Sequence, residues 1–247
     1  MNTVPKQIPL LLEVCLSPKL YETYHRKDAI VVIIDIFRAT SAICTAFQYG
    51  VEKMIPVAGI EEASAFKAQG FLVGAERNGV ALEGFDFGNS PYSYMSDSIK
   101  GKTIVISTTN GTQAIKAAKQ ASQIVIGSFL NFTALCSWLR KQNCEIILLC
   151  SGWKNRFSME DMLFAGAVSD ALSQNSDAFK LGDAALAAKY MYQSAQKNAY
   201  RLLHESSHKE RLSALGLKED IKYCLSLDKT DIIPVFRNEA LINAGLS

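Results

Sequence analysis

The chain lacks every feature that would assign it to a membrane, a secretory route or nucleic acid. No apolar stretch approaches the roughly 18 residues that crossing a bilayer requires. Met1–Pro9 has no basic region followed by an apolar run, so no signal peptide is expected. Neither sign of charge dominates: 26 Lys and Arg face 24 Asp and Glu, a net +2. With no acidic or basic tail either, a nucleic-acid partner is not expected. Six cysteines (Cys15, Cys44, Cys136, Cys144, Cys150, Cys224) form no Cys-x-x-Cys pair and mostly sit in apolar segments. That pattern suits buried, reduced thiols in a cytoplasmic protein, with Cys150 at a strand end the one candidate for reactivity. No repeat, low-complexity tract or Gly/Ser linker divides the 247 residues, and one domain is expected, with a helical C-terminal subdomain from about residue 151.

Apolar runs alternate with helix-length amphipathic stretches through the first two-thirds. Strands are expected over Pro9–Cys15, Ala29–Ile36, Lys53–Val57, Phe71–Gly74, Thr103–Ser107, Gln123–Gly127 and Glu145–Cys150. Helices are expected over Ser41–Tyr49, Glu61–Gln69, Thr112–Lys119 and Phe132–Lys141, with Gly50 and Gly70 as stops. Such alternation specifies an α/β fold: a mostly parallel sheet flanked by helices, three layers α/β/α. After Cys150 the texture becomes more helical, with Met159–Leu172, Asp183–Leu203, Lys209–Leu215 and Glu219–Leu225. Pro234 in the late run Asp231–Phe236 suggests an edge strand. Ala75–Ser98 has no period and many turn residues, but its four aromatics argue for an ordered binding loop.

Three segments carry candidate chemistry. Val31–Thr40 runs from a buried strand into Asp35, Arg38 and Thr40 just before a helix. In open α/β sheets ligands bind at the carboxyl ends of strands. A carboxylate there can hold magnesium or handle a proton, and a guanidinium can hold an anion. The plain alternative is a local salt bridge and helix cap. Ser107–Thr112 combines hydroxyls, Gly111 and a helix start, which suits an anion and equally suits an ordinary capped turn. Ser151–Asp161 leads from a strand end through Lys154 and Arg156 to Ser158, Glu160 and Asp161, a near capping box whose acids also suit the helix dipole.

His204–His208 matches the H-E-x-x-H zinc pattern by letter. Two serines in its middle favour a cap over a helix interior, so Ser206 or Ser207 is expected to open the next helix instead.

Taken together the chain resembles the magnesium-dependent 2-phosphosulfolactate phosphatases. The resemblance rests on VVIIDIFRATSAICTAF (Val31–Phe47), GAERNGVALEGFDFGNSP (Gly74–Pro91), STTNGTQAI (Ser107–Ile115) and CSGWKNRFSMEDMLFAGAV (Cys150–Val168), in that order, and more loosely on Leu212–Asp228. It implies hydrolysis of (R)-2-phospho-3-sulfolactate to 3-sulfolactate and phosphate with Mg2+, a step that in some organisms feeds coenzyme M biosynthesis. By the same resemblance Asp35, Arg38, Thr40 and Asn110 are the catalytic candidates. Arg38, Arg77, Asn89, Thr108, Thr109, Asn110, Gly111, Arg156 and Ser158 are the substrate-binding ones. Two or three of Asp35, Glu83, Asp86, Glu160 and Asp161 would hold magnesium. The loop Trp153–Arg156 is bulkier and more basic than the family pattern leads one to expect. A phosphatase for another small phosphoester and a non-catalytic binder of small sulfonates or phosphates remain alternatives, as do direct water attack and an acyl-phosphate. A homo-oligomer is as compatible with the sequence as a monomer.

Overall fold

A computed structural model describes residues 8–108, 110–174, 178–195 and 198–246. The elements run in order β1 (Leu10–Cys15), α1 (Tyr21–Tyr24), β2 (Ile30–Ile34), α2 (Ala39–Gln48), β3 (Lys53–Pro56) and α3 (Ile60–Ala68). Next come β4 (Leu72–Arg77), β5 (Val80–Ala81), β6 (Thr103–Ser107), α4 (Gly111–Ala117), β7 (Gln123–Gly127), α5 (Phe132–Gln142) and β8 (Ile146–Cys150). The rest are α6 (Met159–Ser173), β9 (Phe179–Leu181), α7 (Asp183–Ala195), α8 (Ala199–Leu202), α9 (Ser207–Ala214), α10 (Lys218–Cys224), β10 (Pro234–Arg237) and β11 (Ala240–Asn243).

Among the described residues eleven strands join one sheet in the order β5-β4-β6-β3-β11-β10-β7-β2-β8-β1-β9. β2 shows why helices cover both faces. Its five residues are wholly buried; Ile30, Val32 and Ile34 enter one core with α5 and α6, while Val31 and Ile33 enter a second with α2 and α4. Alternation with both faces apolar is the mark of a central parallel strand.

Two parallel blocks, β4-β6-β3 and β7-β2-β8-β1-β9, are joined by the β10–β11 hairpin, which pairs antiparallel with both neighbours. In a flat sheet β6 and β2 would stand five strand spacings apart, about 24 Å. Yet Ile106 of β6 and Ile33 of β2 line the same small internal cavity beside α2 and α4. The sheet therefore curls around these helices. That curl carries the end of β6 to the end of β2.

Four sequence expectations change. The late strand is not an edge: β10 lies between β11 and β7, with Pro234 at its first residue, where an absent N–H is tolerated. The expected helix Asp183–Leu203 is two, α8 being opened by the Asn198 side chain, which accepts from Arg201 N. β4 extends to Arg77 and turns at Asn78 and Gly79, both at positive φ, into β5. β9 and β11, each short, were not expected. Gly50 and Gly70 do end their helices, each at φ +88°, and α9 does open on a serine cap, Ser206 accepting from Lys209 N.

Candidate active site

Asp35 follows β2 directly. One carboxylate oxygen, Oδ1, accepts from Ala39 N at 3.3 Å. Thr40 secures the same turn from behind, its hydroxyl donating to Asp35 O at 2.9 Å and accepting from Asp35 N at 3.2 Å. Thr40 is fully buried in this role and does not line the cleft. Thr40 was expected among the catalytic groups; the structure makes it a brace.

Asp161, in the first turn of α6, ties the strand ends together. Its Oδ1 accepts from Ile36 N (2.9 Å) and its Oδ2 from Gly152 N (3.0 Å). Glu160 beside it accepts from Ser206 Oγ at 3.5 Å and pairs with His208 Nδ1 at 2.5 Å. The Ser158 hydroxyl makes no well-formed hydrogen bond, and it lies near enough to help hold the Glu160 carboxyl down. His208 packs edge-on against Phe37, ring centres 6.0 Å apart. Gly152 adopts φ +61° here, and a Cβ would meet the Arg156 carbonyl, so only glycine lets the loop close to the Trp153–Arg156 bridge.

The electrostatics follow from burial and crowding. Burial pushes the Asp35 carboxyl up to about 6, with Glu76 and Glu160 adding repulsion and His208 opposing. Burial, then Glu160 and Asp35, hold Asp161 well above the usual range, against its two backbone bonds. Burial also acts to raise Glu160, but the hydrogen bond and charge of His208 outweigh it and bring the group below its ordinary value. Several acids share a dry site, and only some of them can be charged without help.

The cleft is lined by Asp35, Phe37, Arg38, Glu76, Gly79, Asn89, Asn110, Trp153, His208, Arg211 and Leu212. Arg38 is buried, giving Nη1 to Asp220 (2.5 Å) and Nη2 to Gly79 O (2.6 Å). Asn89 donates to Glu76 Oε2 at 3.4 Å, and Asn110 Oδ1 accepts from Lys154 N at 3.3 Å. Thr108 supplies the start of α4, with its hydroxyl accepting from Thr112 N. At Gly111 a Cβ would lie 2.9 Å from the Ala39 methyl and 3.2 Å from both Asp35 Oδ2 and Thr108 Oγ1. Hence Gly111 is what permits the second strand end to approach Asp35. Arg77 is turned to Glu76 O and Ser107 Oγ, and Arg156 and Ser158 line an adjoining cavity that shares Trp153 and His208 with the cleft. Thr109 lies outside the described residues.

Two expected metal ligands are not brought here. Asp86 is used by Lys67 Nζ (2.5 Å) and Val73 N (2.8 Å), and Glu83 is exposed and does not line the cleft. The sequence reading missed Glu76, His208, Arg211 and Asp220. His208 and Arg211 share a face of α9 at i, i+3, and the H-E-x-x-H letters drew attention to that stretch for the wrong reason.

Among the described residues no group of three or more His, Cys, Asp or Glu side chains is arranged to hold a metal. Asp161 spends both oxygens on backbone donors, and those of Glu160 face His208 and Ser206. Asp35 Oδ2, beside Gly111 and Thr108, is the carboxylate oxygen best placed for a cation. Magnesium needs few protein oxygens when water and phosphate complete its shell. The donor set fits that mode and does not form a preassembled cage.

A curled α/β sheet here gathers buried acids, an imidazole and guanidinium groups at its strand ends, where proteins of the α/β class bind their ligands. Comparison with known sequences gives the family: the family model described as 2-phosphosulpholactate phosphatase matches residues 15–239. A probable 2-phosphosulfolactate phosphatase of Caldanaerobacter subterraneus subsp. tengcongensis is 40% identical over 228 residues, 88% of this chain and 94% of that one. Proteins of the same description from Clostridium novyi and Thermotoga maritima are each 41% identical, over 85% of this chain and 90% of theirs. The chain belongs to the 2-phosphosulfolactate phosphatase family, a family of phosphoric monoester hydrolases. Among the described residues no helix is long and apolar enough to cross a membrane.

Proposed function

We propose that this protein hydrolyses (R)-2-phospho-3-sulfolactate to 3-sulfolactate and inorganic phosphate, with magnesium. The observation that carries the proposal is the convergence, in one cleft, of Asp35, Asn89, Asn110, Trp153 and His208, drawn from all four segments that carry the family resemblance and from α9.

Asp35, backed by Glu160 and Asp161, is the carboxylate to hold the ion. When bound, magnesium supplies charge neutralisation at the phosphate and the departing oxygen. Glu160 fixes His208 through Nδ1, which leaves Nε2 for the cleft. From there His208 delivers a proton to the ester oxygen as its bond to phosphorus breaks. Either water oriented by Asp35 attacks phosphorus as the ester bond breaks, or an Asp35 oxygen first displaces the ester oxygen at phosphorus and water then displaces Asp35 at the same atom. Stereochemistry at phosphorus separates the routes, because one displacement inverts the configuration and two restore it. Free thiols at all six cysteines suit a cytoplasmic setting.

The test is phosphate release from 2-phosphosulfolactate with magnesium and with EDTA, beside phosphoglycolate and 2-phospholactate. Magnesium-dependent turnover favouring the sulfonated ester is expected. Turnover of the comparison esters alone would keep a phosphatase and discard the sulfonate. Inertness on all three together with tight sulfolactate binding would make the protein a binder.

A further inference from the structure

The arginines singled out by the motifs are largely occupied. Arg38 is pinned by Asp220 and the Gly79 carbonyl, and Arg77 by the Glu76 carbonyl and the Ser107 hydroxyl. Arg156 is exposed at the adjoining cavity. Arg211, outside every motif, differs from them. It lines the cleft with Asp35 and His208, and its guanidinium carbon lies 3.9 Å over the Trp153 ring. Its Nε is buried without a hydrogen-bond partner, and among the described residues it has no ion pair. Burial lowers its pKa, with Glu160 and Glu76 acting the other way. Buried polar groups are almost always satisfied, and a missing ligand is an ordinary reason for an exception.

We propose that Arg211, its guanidinium carbon over the Trp153 ring, grips the phosphoryl oxyanion of the substrate, while Arg38 ties the cleft to α10. The proposal rests on the phosphatase reading above. The ring contact holds the guanidinium at the cleft and leaves its donors for a tetrahedral anion, a task for which a lysine's point charge is a poor substitute. Position assigns the phosphoryl end to it. Arg211 shares its cleft with Asp35 and His208, while the adjoining cavity past Trp153 and His208 carries Arg156. The reacting phosphoryl group belongs in the first, beside Asp35 and His208, and the carboxylate and sulfonate of the ester in the second.

Calorimetric titration of the full-length protein with inorganic phosphate, and separately with methanesulfonate, tests this in R211Q, R211K and W153L alongside steady-state kinetics. R211Q is expected to weaken phosphate binding about tenfold or more and to lower kcat/KM by about 100-fold, with methanesulfonate affinity within about twofold of wild type. R211K is expected to recover only a small part of the phosphate affinity. Phosphate affinity unchanged in R211Q, or a loss confined to methanesulfonate, overturns the assignment. Should R211Q not fold, W153L decides: it keeps the charge and removes the ring, and phosphate affinity must drop several-fold, unchanged affinity again overturning the proposal. If wild type hydrolyses none of the esters but R211Q loses phosphate, the phosphatase reading falls and Arg211 stands. If wild type hydrolyses phosphosulfolactate and R211Q binds phosphate normally, the reverse holds.

Discussion

Asp35 is held where its charge is disfavoured. Its carboxyl, pushed up to about 6 by burial and neighbouring acids, binds its proton more tightly in the folded chain than in the unfolded one. The stability it contributes is therefore complete below the unfolded value near 4 and is lost as pH rises through about 6. Above that, a buried carboxylate works against folding by up to about 3 kcal/mol. Asp35→Asn keeps an oxygen for Ala39 N and removes the charge. In metal-free protein at pH 8 it should raise stability by about 1–3 kcal/mol in urea unfolding while abolishing turnover, and the gain should vanish near pH 4. An unchanged midpoint at pH 8 would show that Asp35 is not strained. Gly111→Ala acts through space instead. The added methyl crowds Ala39, Thr108 and Asp35, so kcat should fall at least about tenfold with a stability cost of about 1–3 kcal/mol, read by kinetics and thermal melts together.

Among the elements, α9 carries the most consequence for its size. Eight residues deliver both His208 and Arg211, and the helix is anchored by Ser206, which caps it and donates to Glu160. Ser206→Ala should cost about 1 kcal/mol of stability as a lost cap. It should also lower kcat several-fold, because His208 rides on the first turn and Arg211 on the turn after it. A stability loss with kcat intact would mean that the helix end is set by packing alone. The sequence showed this cap from Ser-Ser before a helical pattern, but not what the helix faces. The alternating β and α segments up to Cys150 were equally legible, since buried parallel strands and amphipathic helices have different periods. β9 and β11 were not, being three and four residues long, too short for any period to register.

At the scale of the whole molecule the β10–β11 hairpin joins two parallel blocks that would otherwise meet only through helices. A chain ending at Thr230 should fail to give a cooperative thermal transition, because it leaves β3 and β7 each with one unpaired edge. Cooperative unfolding near the full-length midpoint would show that the blocks hold together without it. Pro234 does not make this strand an edge, because proline's missing N–H excludes only some central positions, and a strand's first residue is not among them.

The sequence by itself determined the α/β class, most strands and helices, and the local turns that carry Asp35, Thr108 and Asp161, because backbone period, caps and glycines act over a few residues. It could not tell which acids would meet. Glu83 and Asp86 share a motif with Asn89, yet only Asn89 reaches the cleft, since a strand end and the loop after it diverge by distances no local pattern records. His208, Arg211 and Asp220 enter from a part of the chain about 170 to 185 residues away from Asp35 and Arg38. Only the curl of the sheet and the packing of α9 and α10 against Phe37, Arg38, the Gly79 turn and Trp153 decided that they belong to one site, because burial and charge pairing between distant segments exist only once the chain has closed on itself.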